Sequence, residues 1–183
     1  MDAAHRPRAP EIAELLRLID EGYEKRAWHG PNLRGAIRGL TARQAAWRPG
    51  PGRHCIWEIV LHCAYWKYAV RRRILGAKRG SFPRKGSNWL LPPHPGGDLA
   101  WRQDVALLAE MHRQLRTAVA GLSPGDLGTR PRGSRVSTRA IVAGVAMHDV
   151  YHAGQIQLVK RLARGKEPRR ARTVLRTRSE AHD

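Results

Sequence analysis

The chain is short of cysteine, short of acid and without a long apolar run. Its two cysteines, Cys55 and Cys63, exclude a disulfide framework. If one helix carries both, they lie about 12 Å apart at 1.5 Å per residue, beyond the roughly 7 Å that a disulfide can bridge. Both read as small buried apolar side chains. Charged residues break every hydrophobic stretch well below the roughly 20 residues that a membrane span needs. The opening MDAAHRPRAPEIAELL has no basic-then-apolar leader, so the expectation is a soluble, cytoplasmic protein with no membrane partner. Period-two alternation is scarce and no internal repeat stands out. Only 15 Asp and Glu face 34 Lys and Arg, a net charge of +19. Such a field favours anionic partners, whether nucleic acid, an acidic surface or an acidic small molecule, but does not choose among them.

What the chain does have is helical periodicity. At 183 residues and 42% hydrophobic it suits one domain with a real core, expected over residues 1–165. A basic tail follows over 166–183. A first helix is expected from after Pro10 to about Ala27, burying Ile12, Leu15, Leu16, Ile19 and Tyr23. His29-Gly30-Pro31 must interrupt it. A short helical piece follows over Asn32 to Leu40, then the breaker Arg48-Pro49-Gly50-Pro51-Gly52. The second long helix is expected over about Cys55 to Leu75, with Ile59, His62 and Trp66 near one stripe. Four prolines and five glycines in residues 76–97 predict a long irregular loop, of the kind that covers or binds something. The third helix runs about Asp98 to Ala120, with Asp98 placed to cap it and Gly121 to stop it. The fourth starts near Ser137 or Thr138 and ends about Gly165. The fold class is therefore all-α: a four-helix bundle with a long irregular loop between its second and third helices.

His148 and His152 are four residues apart, so their rings lie one turn apart on the same face as Ile141, Val145 and Val159. Buried imidazoles need partners, and one metal ion would satisfy both. His62 lies on the core stripe of the second helix and could join them. Three imidazoles leave a coordination position open, as catalytic rather than structural sites do, and an ion there would acidify a water or hold a thiol as thiolate. The competing reading is a set of hydrogen-bonded packing histidines. The segment also reads H-D-x-x-H, one methylene short of the zinc-protease H-E-x-x-H. Downstream third ligands (Glu167, Glu180, His182) lie only in or near the tail, which argues against a protease. Asp149 is better cast as a carboxylate behind the ligands or on the surface.

Trp47-Arg48-Pro49, Ile56-Trp57-Glu58-Ile59-Val60-Leu61-His62 and His148-Asp149-Val150-Tyr151-His152-Ala153-Gly154-Gln155-Ile156 together resemble the DinB-like (damage-inducible protein) family of metal-binding four-helix bundles. That resemblance implies one divalent ion, zinc or nickel, on His62, His148 and His152. It also implies a homodimer and an enzyme such as a low-molecular-weight-thiol S-transferase acting on a small electrophile, with an acidic thiol as one candidate partner. Many relatives have no known activity. A non-catalytic metal-stabilised bundle and a basic protein associated unspecifically with nucleic acid remain open. Five further residues are candidates for a substrate pocket. His29 sits at a helix break, where a solvent role is equally consistent. Glu58 could orient His62 or accept a proton, or simply favour the helix N-terminus. Trp66 lies on the His62 stripe, and Trp89, with Asn88, could belong to a lid or anchor the loop. Gln155 could bond near the ion or cross-link helices.

Overall fold

A computed structural model describes residues 9–166 apart from 79, 81, 87, 94 and 95. Those residues form seven helices and no strand: α1 (Pro10–Tyr23), α2 (Leu33–Ile37), α3 (Ala42–Ala46), α4 (Ile56–Ile74), α5 (Asp98–Ala120), α6 (Pro124–Leu127) and α7 (Thr138–Lys166). The expected basic tail lies outside the described residues beyond Lys166. The four long helices, α1, α4, α5 and α7, are those that apolar spacing predicts. α4 packs against α5 and α7, and α1 packs against the same two helices.

The differences are local. α1 stops at Tyr23 rather than Ala27, because the Glu24 and Lys25 amides both turn back to the Asp20 carbonyl. The Lys25 carbonyl then accepts a bond from Asn32 Nδ2 (2.7 Å), which leads the chain into α2. Two short helices, α3 and α6, fall where the spacing gave no helix. Each opens with a capping box, Thr41 with Gln44 and Ser123 with Asp126. Such reciprocal bonds satisfy the orphan amides of even a single turn. Asp98 does not cap α5, whose N-cap is Gly97. Its Oδ1 instead accepts the Ala42 amide (2.7 Å), tying the start of α3 to α5.

The long segment between α4 and α5 has no helix among its described residues, yet it is fastened along its length. Phe82 and Leu90 are buried in the main core. Tyr68 Oη donates to the Gly80 carbonyl (2.6 Å), and Arg84 Nε donates to Asp104 Oδ1 (2.8 Å). Trp57 Nε1 bonds the other oxygen of that buried carboxylate (2.8 Å).

α1 and α7 approach so closely that a Cβ on Gly22 would lie 2.8 Å from the Ala146 carbonyl oxygen. The interior also holds a charged pair. Lys67 on α4 and Asp149 on α7 form an ion pair with both side chains 1% exposed, and the ammonium lies 5.0 Å from the Tyr23 ring centroid. Removing one partner strands a buried charge, at a typical cost of about 3–5 kcal/mol, whereas an apolar pair of similar volume is often neutral. Lys67→Met should therefore lower the guanidinium unfolding midpoint sharply. Lys67→Met/Asp149→Leu should recover most of the loss, and equal losses would show that the two charges do not act as a closed pair.

Candidate metal centre

His62 comes from the middle of α4; His148 and His152 come from α7, one turn apart. All three rings converge. His148 Nε2 lies 3.1 Å from His62 Nε2 and 3.1 Å from His152 Nε2, and one ligand atom from each residue fits within 4.8 Å of the others. His62 and His152 are buried and His148 is partly buried.

The protons can be placed from the acceptors. His62 Nδ1 donates to the Asn88 carbonyl (3.0 Å), and His152 Nδ1 donates to Gln155 Oε1 (2.7 Å). A neutral imidazole that carries its proton on Nδ1 presents a bare lone pair at Nε2. Two such lone pairs therefore point at His148 Nε2, and His148 Nδ1 is buried without a hydrogen-bond partner. With no cation, only a His148 Nε2 proton shared between two acceptors relieves the crowding. A single ion bonded to all three Nε2 atoms relieves it completely. Zinc–nitrogen bonds of about 2.1 Å give a tetrahedron with edges of about 3.4 Å, a few tenths longer than the separations here. Burial first, and neighbouring rings second, push the His62 pKa down to about 4; burial with His152, His62 and Lys67 pushes His148 down to about 3. Burial also lowers His152. The rings are thus kept neutral, as ligation requires.

The loop forms the wall of this centre. Asn88, with φ of 61°, accepts from His62 through its backbone and from Trp66 Nε1 through its side chain (2.9 Å). Asparagine tolerates that left-handed backbone better than most residues. Trp89 stacks face to face on His62 (centroids 3.9 Å, 10°), and His54 stacks on the other face of the indole (3.6 Å, 5°). Trp66 meets His62 and His148 edge-on.

Trp66, Trp89 and Gln155 thus surround the three histidines. Glu58 does not reach His62. It is buried, receives Arg48 through two bonds (2.5 and 2.8 Å), bonds the Cys55 amide (3.1 Å) and lies 3.2 Å from His54 Nδ1. Contacts connect it to His62 only indirectly, through His54 and Trp89. His29 is elsewhere, on a cavity of about 200 Å³ between α1 and α7 lined by Gly22, Ala146 and Met147. A cavity of about 560 Å³ also lies away from the triad, lined by residues of α2, of α5 and of the turn between α2 and α3. Trp89 covers one face of His62.

His54 and Lys67 carry roles that the spacing argument missed. Lys67 sits seven residues after Val60 and four after Cys63, on their buried face, so a lysine at a core position was the available signal. His54 precedes its helix and had none. Cys63, His148 and Asp149 form another group with ligand atoms within 4.8 Å. Burial pushes the Cys63 thiol well up, however, and Lys67 already holds Asp149. That group serves as packing behind His148.

A family model described as the DinB superfamily matches residues 26–156, a span that includes all three histidines. No curated protein and no solved structure matches the chain.

Because the folded chain holds these imidazoles below their ordinary pKa of about 6.5, the unfolded chain binds more protons as pH falls from about 6.5 toward 4. Metal-free protein should therefore lose stability through that window and be insensitive above it. Urea midpoints measured with a chelator present should show this slope. Changing all three histidines to Gln should flatten it, leaving the share contributed by buried His112, which is pushed down to about 3.

Proposed function

The chain belongs to the DinB superfamily, and from that premise we propose that it is a metal-dependent enzyme. In this reading His62, His148 and His152 hold one divalent ion, zinc or nickel, and the enzyme transfers a low-molecular-weight thiol to a small electrophile. The observation that carries the reading is the meeting of three Nε2 atoms from two helices, two of them fixed as lone-pair donors by Asn88 and Gln155. When bound, such an ion supplies Lewis acidity and lowers the pKa of a thiol or water. Asn88 and Gln155 orient two of the ligand rings, and acceptors of this kind also raise ligand basicity. Trp89 shields His62 from water, while partly buried His148 and the Trp66 edge mark the approach for a substrate. The buried Lys67–Asp149 pair fixes α4 against α7 and with it the spacing between the two halves of the triad.

A cavity of about 420 Å³ at the C-terminal end of α4 supports an acidic thiol or another anionic substrate. Arg72, Arg73, Lys78 and Arg132 line it, with no carboxylate. Arg73 also lies over the Trp66 ring, 5.9 Å from its centroid, which links this positive surface to the triad. The same surface supports a second reading, unspecific association with nucleic acid, which high salt would abolish. No described helix is long and apolar enough to cross a membrane. The enzyme reading places the protein in the cytoplasm, where thiols are kept reduced. It also includes a homodimer, for which Met147, Tyr151, Leu158 and Leu162 on α7 offer exposed apolar side chains.

Protein purified without immobilised metal should show an ion that His62→Ala, His148→Ala and His152→Ala each weaken by about tenfold or more, read by elemental analysis after dialysis. With cobalt in the site, adding a thiol should produce a sulfur-to-cobalt charge-transfer band. Folded, cobalt-loaded protein that shows no such band would sink the thiol reading while leaving the metal site standing. A chain that stays folded but takes up no ion at the triad would leave the non-catalytic alternative.

A further inference from the structure

Away from the triad, one buried imidazole has neither ring nitrogen paired. His112 on α5 is 1% exposed and stacks on Tyr23 (centroids 4.0 Å, 25°), and both its nitrogens are buried without a hydrogen-bond partner. Its Nε2 faces two carboxylates from the end of α1, Asp20 Oδ1 at 3.7 Å and Glu24 Oε1 at 3.9 Å. These separations are too long for hydrogen bonds. They are a few tenths longer than the edge of about 3.4 Å expected when nitrogen and oxygen ligands share one zinc-sized ion.

Arginines hold both carboxylates, Glu24 through the oxygen turned away from His112 and Asp20 through both of its oxygens. Arg116 Nε bonds both oxygens of Asp20 (2.9 and 3.1 Å), and Arg34 Nη1 bonds Glu24 Oε2 (2.8 Å), leaving Oε1 turned toward His112. Ligating carboxylates are commonly oriented by such outer bonds. Three cations face this region, Lys67, Arg116 and Arg34, and each is paired with a carboxylate: Asp149, Asp20 and Glu24. Charge balances only when the ligands themselves are counted, so an ion bound here competes with Arg116 for Asp20 and with Arg34 for Glu24. Glu24 also borders the cavity of about 560 Å³, which gives an entry path and room for water to complete the coordination.

We propose that Asp20, Glu24 and His112 form a second divalent-cation site, suited to a zinc-like ion that accepts one imidazole and two carboxylates. It is separate from the triad, shares no residue with it and does not depend on the enzyme reading. Its role would be to clamp the end of α1 to α5, since its ligands come from those two helices.

The test uses the full chain carrying His148→Ala/His152→Ala, so that zinc uptake by the triad is removed. Equilibrium dialysis against free zinc should leave about one ion per chain. Adding Glu24→Gln, at an exposed position, should weaken that binding by about tenfold or more, and His112→Gln should do the same. Far-ultraviolet circular dichroism checks that each variant is folded, and cobalt absorption gives a second readout of the ligand set. A folded double variant that binds no zinc would overturn the proposal, leaving water between His112 and the acids. So would zinc binding unaffected by Glu24→Gln. Failure of the triad would show up differently, as a wild-type chain whose zinc content equals that of the double variant.

Discussion

Three ring nitrogens forced together in an apolar interior, two of them already committed as lone-pair donors, are the constraint around which this protein is arranged. With two of the three nitrogens fixed as acceptors, neutral imidazoles facing one another at 3.1 Å have a single His148 proton to share between them, whereas one cation would satisfy all three. Burial removes the ordinary remedy, protonation, by depressing the ring pKa values. The position of α4 against α7, the fastening of the loop by Asn88 and the closing of the indole over His62 all maintain that convergence. Stacking of the kind His62 and Trp89 show contributes about 0.5–1.5 kcal/mol beyond area burial, enough to bias a loop that has no helix or strand among its described residues.

The charged interior supports the same geometry at a cost. A buried ion pair contributes little net stability because desolvation offsets the attraction. Lys67 and Asp149 instead contribute specificity: a sliding of α4 against α7 that an apolar interface would tolerate separates their charges. Asp149 follows His148 directly in the chain, so the contact that fixes the register between helices adjoins the residue whose register matters most. Asp104 plays a similar part for the loop, collecting Trp57 from α4 and Arg84 from the loop on one buried carboxylate.

Much of the fold was legible because apolar spacing reports which face of a helix is buried. Ile12, Leu15, Leu16, Ile19 and Tyr23 are all core residues of α1, and the four long helices stand where spacing put them. The spacing also placed His62, His148 and His152 on inward stripes, and the structure brings them together. Less was legible where the deciding partner is distant in sequence. Asp98 looked like a cap because caps are local; its real partner, the Ala42 amide, is 56 residues away. Glu58 reads as a helix-start acid and is one, accepting the Cys55 amide, but its burial beside Arg48 from the preceding turn was not legible. α3 and α6 are too short for periodicity, and only their capping boxes mark them.

The column formed by His54, Trp89 and His62 has a practical consequence. An indole pressed between a solvent-facing imidazole and one that belongs to the triad senses electronic changes at both of its faces. Loading of the triad alters the ring beneath it, and displacement of the loop removes both neighbours at once. With the other five tryptophans replaced, emission from Trp89 should therefore respond both to filling of the centre and to displacement of the loop, without an attached dye.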